Sequence, residues 1–208
     1  KSSVFATTEP SLSATYHAGE DFLDIAGALR TIDEAIRFLE LRRGDRIGHA
    51  LGLGVDPEVH YALKGGHIYL SKQERLDNLV WLLYRSRQLG TQMDAHIYGS
   101  LKKEAEILLL DIYGNAMEEN GWTISLTEYD CVMQLHGDDP QCYRTMEYQP
   151  QLHHGAHFDD FLIQTSDPTI ERYRRTKNLA GMYYYYHFGN REKIRGSEIT
   201  EVEVDAAY

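Results

Sequence analysis

The first quarter of the chain alternates between two short apolar runs and one long amphipathic stripe. Residues 12–17 form a short, partly β-favouring run bounded by Gly19, and residues 45–51 form a second run. Between them, apolar residues recur every three or four positions over 22–39, which predicts a helix packed on one side, capped by Asp21 and ended by an Arg-Arg-Gly turn. Strand, helix and strand in succession predict a βαβ unit with two buried, parallel strands.

Beyond Gly54 the pattern becomes mainly helical. The spacing of apolar residues predicts helices over 71–90, with Ser71 as cap, and over 101–118, 125–136 and 166–187. Residues 199–204 alternate as a strand does, although a helix start fits them equally well. We therefore divide the chain into a strand-helix-strand part (1–64), a mainly helical part (65–198) and a final stretch returning towards the first part (199–208).

Composition places the chain among ordinary globular proteins and argues against nucleic acid as a partner. It has 208 residues, of which 42% are hydrophobic and 25% charged, so extended disorder is not expected. The formal net charge of −11 argues against direct binding of nucleic acid, which requires a basic face. The basic run Arg172, Arg174, Arg175 and Lys177 is then a solvated helix surface, or else a local basic patch.

The cysteines and the lack of long apolar segments bear on the compartment. Cys131 and Cys142 do not have the spacing of a zinc ribbon, and two cysteines hardly make a disulfide framework. No segment has the length and apolarity of a membrane span, and the start at Lys1 has no signal-peptide profile. We expect a cytoplasmic protein with no membrane contact, present here as a processed chain or a fragment.

Candidate chemistry lies where the two predicted strands end. His17 ends the first strand and His49 the second, and Glu20 follows His17 by three residues. Side chains at the carboxyl ends of parallel strands face one cavity, and Gly19 lets the chain turn tightly there. A neutral imidazole is a good zinc ligand, and a carboxylate beside it can exchange protons. A single histidine of this kind is more often structural, but the pair with Glu20 favours a site.

The same residues carry a resemblance to a known family. Thr-Tyr-His-Ala-Gly-Glu at 15–20 resembles the T-x-H-A-G-E signature of the adenosine deaminase family of metal-dependent hydrolases. Asp-Arg-Ile-Gly-His at 45–49 resembles the R-I/L-G-H strand that follows it in that family. The resemblance covers residues 12–52 and implies an α/β fold in which these are the fifth and sixth strands of a (β/α)8 TIM-type barrel.

The resemblance also implies a reaction and a role for each residue. His17 would be a ligand of a Zn2+ cofactor, Glu20 would protonate the purine ring nitrogen, and His49 would orient and deprotonate the zinc-bound water. Attack at C6 would then release ammonia and convert adenosine, or an adenine nucleotide, to the inosine form. The protein would thus be a zinc-dependent aminohydrolase.

Two features depart from the family pattern. The H-x-H pair that supplies two further zinc ligands does not precede His17. The family's Asp-Asp pair is matched in letters by Asp138-Asp139, which is either a ligand or a helix-capping loop. The chain then corresponds to the middle of a barrel with a long, mainly helical insertion over 65–198, which would build subunit contacts or a lid.

The length of this insertion and the acidic composition are similar to those of the deaminase subunits of the bacterial RADAR antiphage system. That similarity implies a large homo-oligomer, an AAA-type ATPase partner and a role in antiviral defence. Two other functions stay open. One is a non-catalytic oligomer-assembly or partner-binding module on a deaminase-like scaffold, and the other is an amidohydrolase with a different amine or amide substrate.

Two further groups of residues have competing interpretations. His153, His154 and His157 are spaced closely enough to bind a metal, but no carboxylate partner has a defined helical register, which favours a polar loop. The run Tyr183–Tyr186 would stack on a base, or else would form partly buried packing and an interface. We favour the loop and the packing.

Overall fold

A computed structural model describes residues 13–39, 41–88, 90, 93–121, 123–134, 186 and 195–204. It is a mixed α/β structure, as the sequence predicts, and it divides into two compact units, 1–55 and 56–208. The functional division after residue 64 stays a prediction. The helices and strands of the described part are β1 (Thr15–Ala18), α1 (Ile25–Phe38), β2 (Arg46–His49), α2 (Pro57–Leu63), β3 (His67–Ser71), α3 (Lys72–Gln88), α4 (Ala95–Asn120), α5 (Leu126–Gln134) and β4 (Ile199–Glu203).

The first unit contains the predicted βαβ arrangement. β1 and β2 pair in parallel, with Thr15 opposite Arg46 and Ala18 opposite His49, and α1 connects them. Ile32 and Ala35 of α1 pack against Ala18. Because burial of apolar surface contributes roughly 25 cal/mol per Å², this contact holds the helix on the strand pair. Buried positions of α1 repeat at the predicted spacing: Ile25, Ala28, Ile32 and Ala35.

The side chain of Asp45 organises the connection between α1 and β2. The carboxylate of Asp45 accepts hydrogen bonds from the backbone N–H of Arg42 at 2.6 Å and of Ala14 at 2.7 Å. These two bonds lower the pKa of Asp45, since they favour its charged form. Asp45 therefore ties the start of β2 to the residue that precedes β1.

β1 and β2 are largely exposed, whereas the sequence analysis predicted two buried strands. Ala18 is the buried residue of β1, whereas Tyr16 is 48% exposed, and no residue of β2 is buried. The sheet has two strands among the described residues. Parallel strands become buried only when neighbouring strands and helices cover both faces, and α1 alone does not provide that cover.

The predicted cap of α1 is also wrong. Asp24, not Asp21, is the N-cap: its Oδ1 accepts from the backbone N–H of Ala26 at 3.2 Å. The chain after β1 passes through bends before it becomes helical, because Gly19 has a φ of +70° and redirects it. The helix ends at Phe38, before the basic turn.

In the second unit, α3, α4 and α5 enclose the larger hydrophobic core. α3 and α5 agree with the predicted helices, and the Oγ of Ser71 accepts from the N–H of Glu74 at 3.1 Å, as a cap does. α4 begins at Ala95, before the predicted start, because Asp94 caps it. The central buried residues are Leu76, Leu79, Val80, Leu83, Leu101, Ala105, Ile112, Tyr113, Tyr129 and Val132.

β3 and β4 form an antiparallel pair in the second unit, with His67 opposite Glu203 and Ser71 opposite Ile199. The strand interpretation of 199–204 is thus confirmed, and its partner β3 was not predicted. In the described part of the chain, β4 pairs with β3. The return of residues 199–208 towards the first part of the chain stays a prediction. Alternation in β3, where Ile68 and Leu70 are buried between exposed neighbours, is the sequence signal that would have located it.

Several predictions fall on residues that the structure does not describe. The helix over 166–187 lies outside the described residues except for Tyr186, so the helical part is described only in part. Among the helices that are described, none combines the length and apolarity needed to cross a lipid bilayer.

Candidate active site

His17, Glu20 and His49 come together at the end of the strand pair. The Nε2 of His49 lies 3.0 Å from one carboxylate oxygen of Glu20, and the Nδ1 of His17 lies 4.0 Å from the other. The two imidazole rings contact each other edge to face, with centroids 4.8 Å apart. The predicted convergence of the three side chains is therefore confirmed, whereas their individual roles stay predictions.

Two glycines make room for this cluster. Gly48 lies opposite His17 in the register, and a Cβ there would be 2.7 Å from the Nε2 of His17. Gly19 has a φ of +70°, which favours glycine, and a Cβ there would be 2.5 Å from the Cδ1 of Ile32. Glycine at both positions lets the chain turn from β1 towards Glu20 while the ring of His17 rests on β2.

The backbone after β2 adopts an uncommon conformation at the site. His49 and Ala50 have φ values of 62° and 45°, in the left-handed region that residues other than glycine seldom adopt. The turn is fastened to β1, because the N–H of Ala50 donates to the carbonyl of Ala18 at 3.1 Å. The N–H of Gly52 also donates to the carbonyl of Gly19 at 3.0 Å. Such backbone strain clusters at functional sites.

The cluster is open to solvent in the part of the chain that the structure describes. The side chains of His17 and His49 are 59% and 51% exposed, and that of Glu20 is 30% exposed. Exposed ion pairs contribute only about 0–1 kcal/mol to stability. The contact between Glu20 and His49 therefore adds little to the stability of the fold.

The three side chains form a group that could hold a metal ion. One potential ligand atom from each residue, an imidazole nitrogen or a carboxylate oxygen, lies within 4.8 Å of the others. Imidazole nitrogens and carboxylate oxygens are among the common ligands of zinc. Among the described residues, this is the group of three that meets these distances.

The remaining candidates are mostly outside the described residues. Asp138-Asp139, the three histidines at 153–157, the basic run at 172–177 and Cys142 all lie there, and their interpretations stay open. Cys131 is buried. Tyr186 is partly buried, with its ring centroid 5.8 Å from that of Tyr129, which confirms the packing interpretation for this one tyrosine.

A buried polar cluster in the second unit was missed by sequence reasoning. The carboxylate of Asp77 accepts hydrogen bonds from the hydroxyl of Tyr129 at 2.6 Å, the amide of Gln73 at 3.0 Å and the hydroxyl of Tyr186 at 3.2 Å. Burial, followed by the nearby Asp77 carboxylate, raises the pKa of Tyr129 well above its usual range, which keeps it a donor. The sequence signal for this cluster is a pair of polar residues, Gln73 and Asp77, that lie four positions apart in the apolar stripe of α3.

Comparison with known proteins adds no assignment. No protein-family model matches the chain, and no curated protein is similar enough to count as a match. The resemblance to the adenosine deaminase family therefore depends on the two sequence motifs alone. What the structure contributes is the placement of their residues.

Proposed function

We propose that the protein is a zinc-dependent aminohydrolase that converts adenosine, or an adenine nucleotide, to the inosine form. The observation that supports the proposal is the convergence of His17, Glu20 and His49 at the carboxyl ends of two parallel strands. In this proposal the βαβ unit is the part of a (β/α)8 barrel that contains its fifth and sixth strands. Active sites of such barrels lie at the carboxyl ends of the strands.

His17 would hold the zinc ion through its imidazole. When bound, zinc would supply a Lewis acid that lowers the pKa of a water molecule. Gly48 leaves the space in which the His17 ring lies, and the edge contact with His49 limits its rotation. A ligand whose orientation is set before the ion arrives loses less conformational entropy on binding.

Glu20 and His49 would move the protons. The carboxyl of Glu20 would donate a proton to the purine ring nitrogen, and the Nε2 of His49 would accept one from the attacking water. Water then adds at C6 and ammonia leaves, so one water is consumed for each ammonia released. Because His49 Nε2 lies 3.0 Å from Glu20, the proton can pass directly back to the carboxylate.

The proposed partners depend on the sequence resemblance alone. They are a large homo-oligomer and an AAA-type ATPase, with a role in antiviral defence. The exposure of His17 and His49 is compatible with this, since a site that works on a desolvated base requires cover beyond the described residues. In the proposal, the helical region provides that cover as a lid or as subunit contacts.

The test is a comparison of Glu20→Gln with Glu34→Gln. Glu34 lies on α1 of the same unit, where it pairs with Arg30 at 3.1 Å. The complete protein, loaded with zinc, is assayed for ammonia with adenosine, its phosphates, cytosine and guanine. We expect release from the adenine compounds, a loss of about 10²–10⁴-fold in Glu20→Gln with zinc retained, and no loss in Glu34→Gln.

Three results would contradict the proposal. Equal ammonia release by Glu20→Gln and the wild type would remove Glu20 from the chemistry. No release from any of the compounds tested would favour the non-catalytic assembly or partner-binding module. Release from a compound outside the adenine series alone would instead identify an amidohydrolase with a different substrate.

A further inference from the structure

We infer that Gly48 is a positioning residue for His17, an inference that rests on the proposed function. The two residues are direct partners across the strand pair. A Cβ on Gly48 would lie 2.7 Å from the Nε2 and 3.1 Å from the Cγ of His17, both closer than an ordinary van der Waals contact. The imidazole therefore occupies the space that any other residue at position 48 would fill.

The requirement at position 48 is for space and not for an unusual backbone. Glycines with a positive φ in the described part of the chain include Gly19, Gly44 and Gly121, but Gly48 is not among them. Alanine at 48 is thus compatible with the local backbone, whereas alanine at Gly19 would be strained as well as crowded. Gly48→Ala consequently isolates the effect of one methyl group on the His17 ring.

The added methyl group would displace the His17 ring and so change the geometry of the cluster. All the nitrogen and oxygen atoms that could bind a metal would remain present. The ring of His17 lies against Gly48, beside the ring of His49 and 4.0 Å from the carboxylate of Glu20. Rotating the ring away from position 48 would break its edge contact with His49 and move its nitrogens away from the other donors. Residues that orient a ligand typically change metal affinity by about 10–100-fold when mutated.

Gly54→Ala provides the matched control in the same unit. Gly54 has a φ of −109°, and a Cβ there would meet the carbonyl oxygen of Leu51 at 3.8 Å, an ordinary contact. Both substitutions add one methyl group to a glycine of the first unit, one within β2 and one five residues after it. Their difference therefore reports the crowding of His17 and not the general effect of replacing glycine.

The experiment uses the 208-residue chain with Gly48→Ala, His17→Ala, both together, and Gly54→Ala. Co2+ titration followed by visible absorption measures metal binding, thermal unfolding measures stability, and the nuclear Overhauser effect (NOE) between the rings of His17 and His49 reports their contact. We expect Gly48→Ala to weaken Co2+ binding by about 10–100-fold, to abolish the NOE and to lower Tm. Gly54→Ala should change none of these.

The His17→Ala background separates this inference from the proposed function. If the methyl group acts through the ring, Gly48→Ala should lower Tm in the wild type but not in His17→Ala. An equal loss of Tm in both backgrounds, or an unchanged NOE in Gly48→Ala, would overturn the inference. A wild type that binds no Co2+ would contradict the metal site of the proposed function, while the Tm cycle and the NOE would still decide the role of Gly48.

Discussion

Glu198 is held by two cations at the surface of the second unit. Its carboxylate accepts from the Nζ of Lys72 at 2.7 Å and from two nitrogens of Arg195 at 2.9 Å. Lys72 also donates to Asp111 of α4 at 2.5 Å. The bonds from Arg195 and Lys72 lower the pKa of Glu198 from 4.5 to about 2. This group of charges joins the turn before β4 to α3 and α4.

We predict that Glu198→Gln lowers Tm at neutral pH and that the difference from the wild type disappears in acid. Because the pKa of Glu198 is lower in the folded state, its contribution is complete above pH 4.5 and is lost as the pH falls towards about 2. Thermal unfolding across this range measures the effect. Glu106→Gln is the control, since Glu106 is exposed and pairs with Lys102 only at 3.6 Å. A difference that is independent of pH would contradict the assignment.

Individual site residues could be predicted where strand topology decides their position. The carboxyl ends of parallel strands meet at one edge of a sheet, so His17 and His49 had to lie close together once both strands were recognised. The contact of His17 with Gly48 could not be predicted, because it depends on the exact register and on the rotamer of the ring. The left-handed backbone of His49 is set by the turn and is equally invisible in the sequence.

The start of α1 shows how a helix depends on one side chain. Asp24 is 2% exposed, and its carboxylate satisfies the backbone N–H of Ala26, one of the donors that has no partner within the helix. Asp21, which the sequence analysis predicted as the cap, is exposed and precedes the helix by several residues. The position of the cap fixes where α1 begins relative to Glu20.

We predict that Asp24→Ala lowers the free energy of unfolding by about 0.5–2 kcal/mol, the usual effect of losing an N-cap, and that Asp21→Ala changes it little. Urea unfolding followed by far-ultraviolet circular dichroism measures both variants. Each substitution removes one aspartate carboxylate, and the two positions are three residues apart. Each variant is therefore a control for the other. A larger loss in Asp21→Ala would show that the helix begins where the sequence first suggested.

Elements could be predicted where periodicity extends over several turns. α1, α3 and α5 have apolar residues at helical spacing. Buried residues of α3 and α5 pack in the larger core, and those of α1 pack against β1. β3 was missed because it has only five residues and lies directly before α3, so that the alternation of its two buried residues with exposed ones is a short signal. The first turns of α4 were missed because their polar residues and Gly99 interrupt the apolar periodicity. The helix begins at Ala95 because Asp94 caps it.

At the scale of the whole molecule, the structure has two units with separate hydrophobic cores. The smaller unit contains the candidate site, and the larger one contains most of the buried side chains. A mixed α/β class followed directly from the sequence, but a barrel does not follow from one βαβ unit, because many folds share that unit. The two motifs that match the deaminase family supply that part of the proposal.

The number of zinc ions bound by the wild type and by His17→Ala tests the central claim most directly. Equilibrium dialysis against zinc, followed by metal analysis, measures it, and His96→Ala is the control because His96 is an exposed histidine of α4. The account predicts a single zinc ion per chain in the wild type and in His96→Ala, and its loss in His17→Ala. Equal zinc content in all three proteins, or none in the wild type, would contradict it.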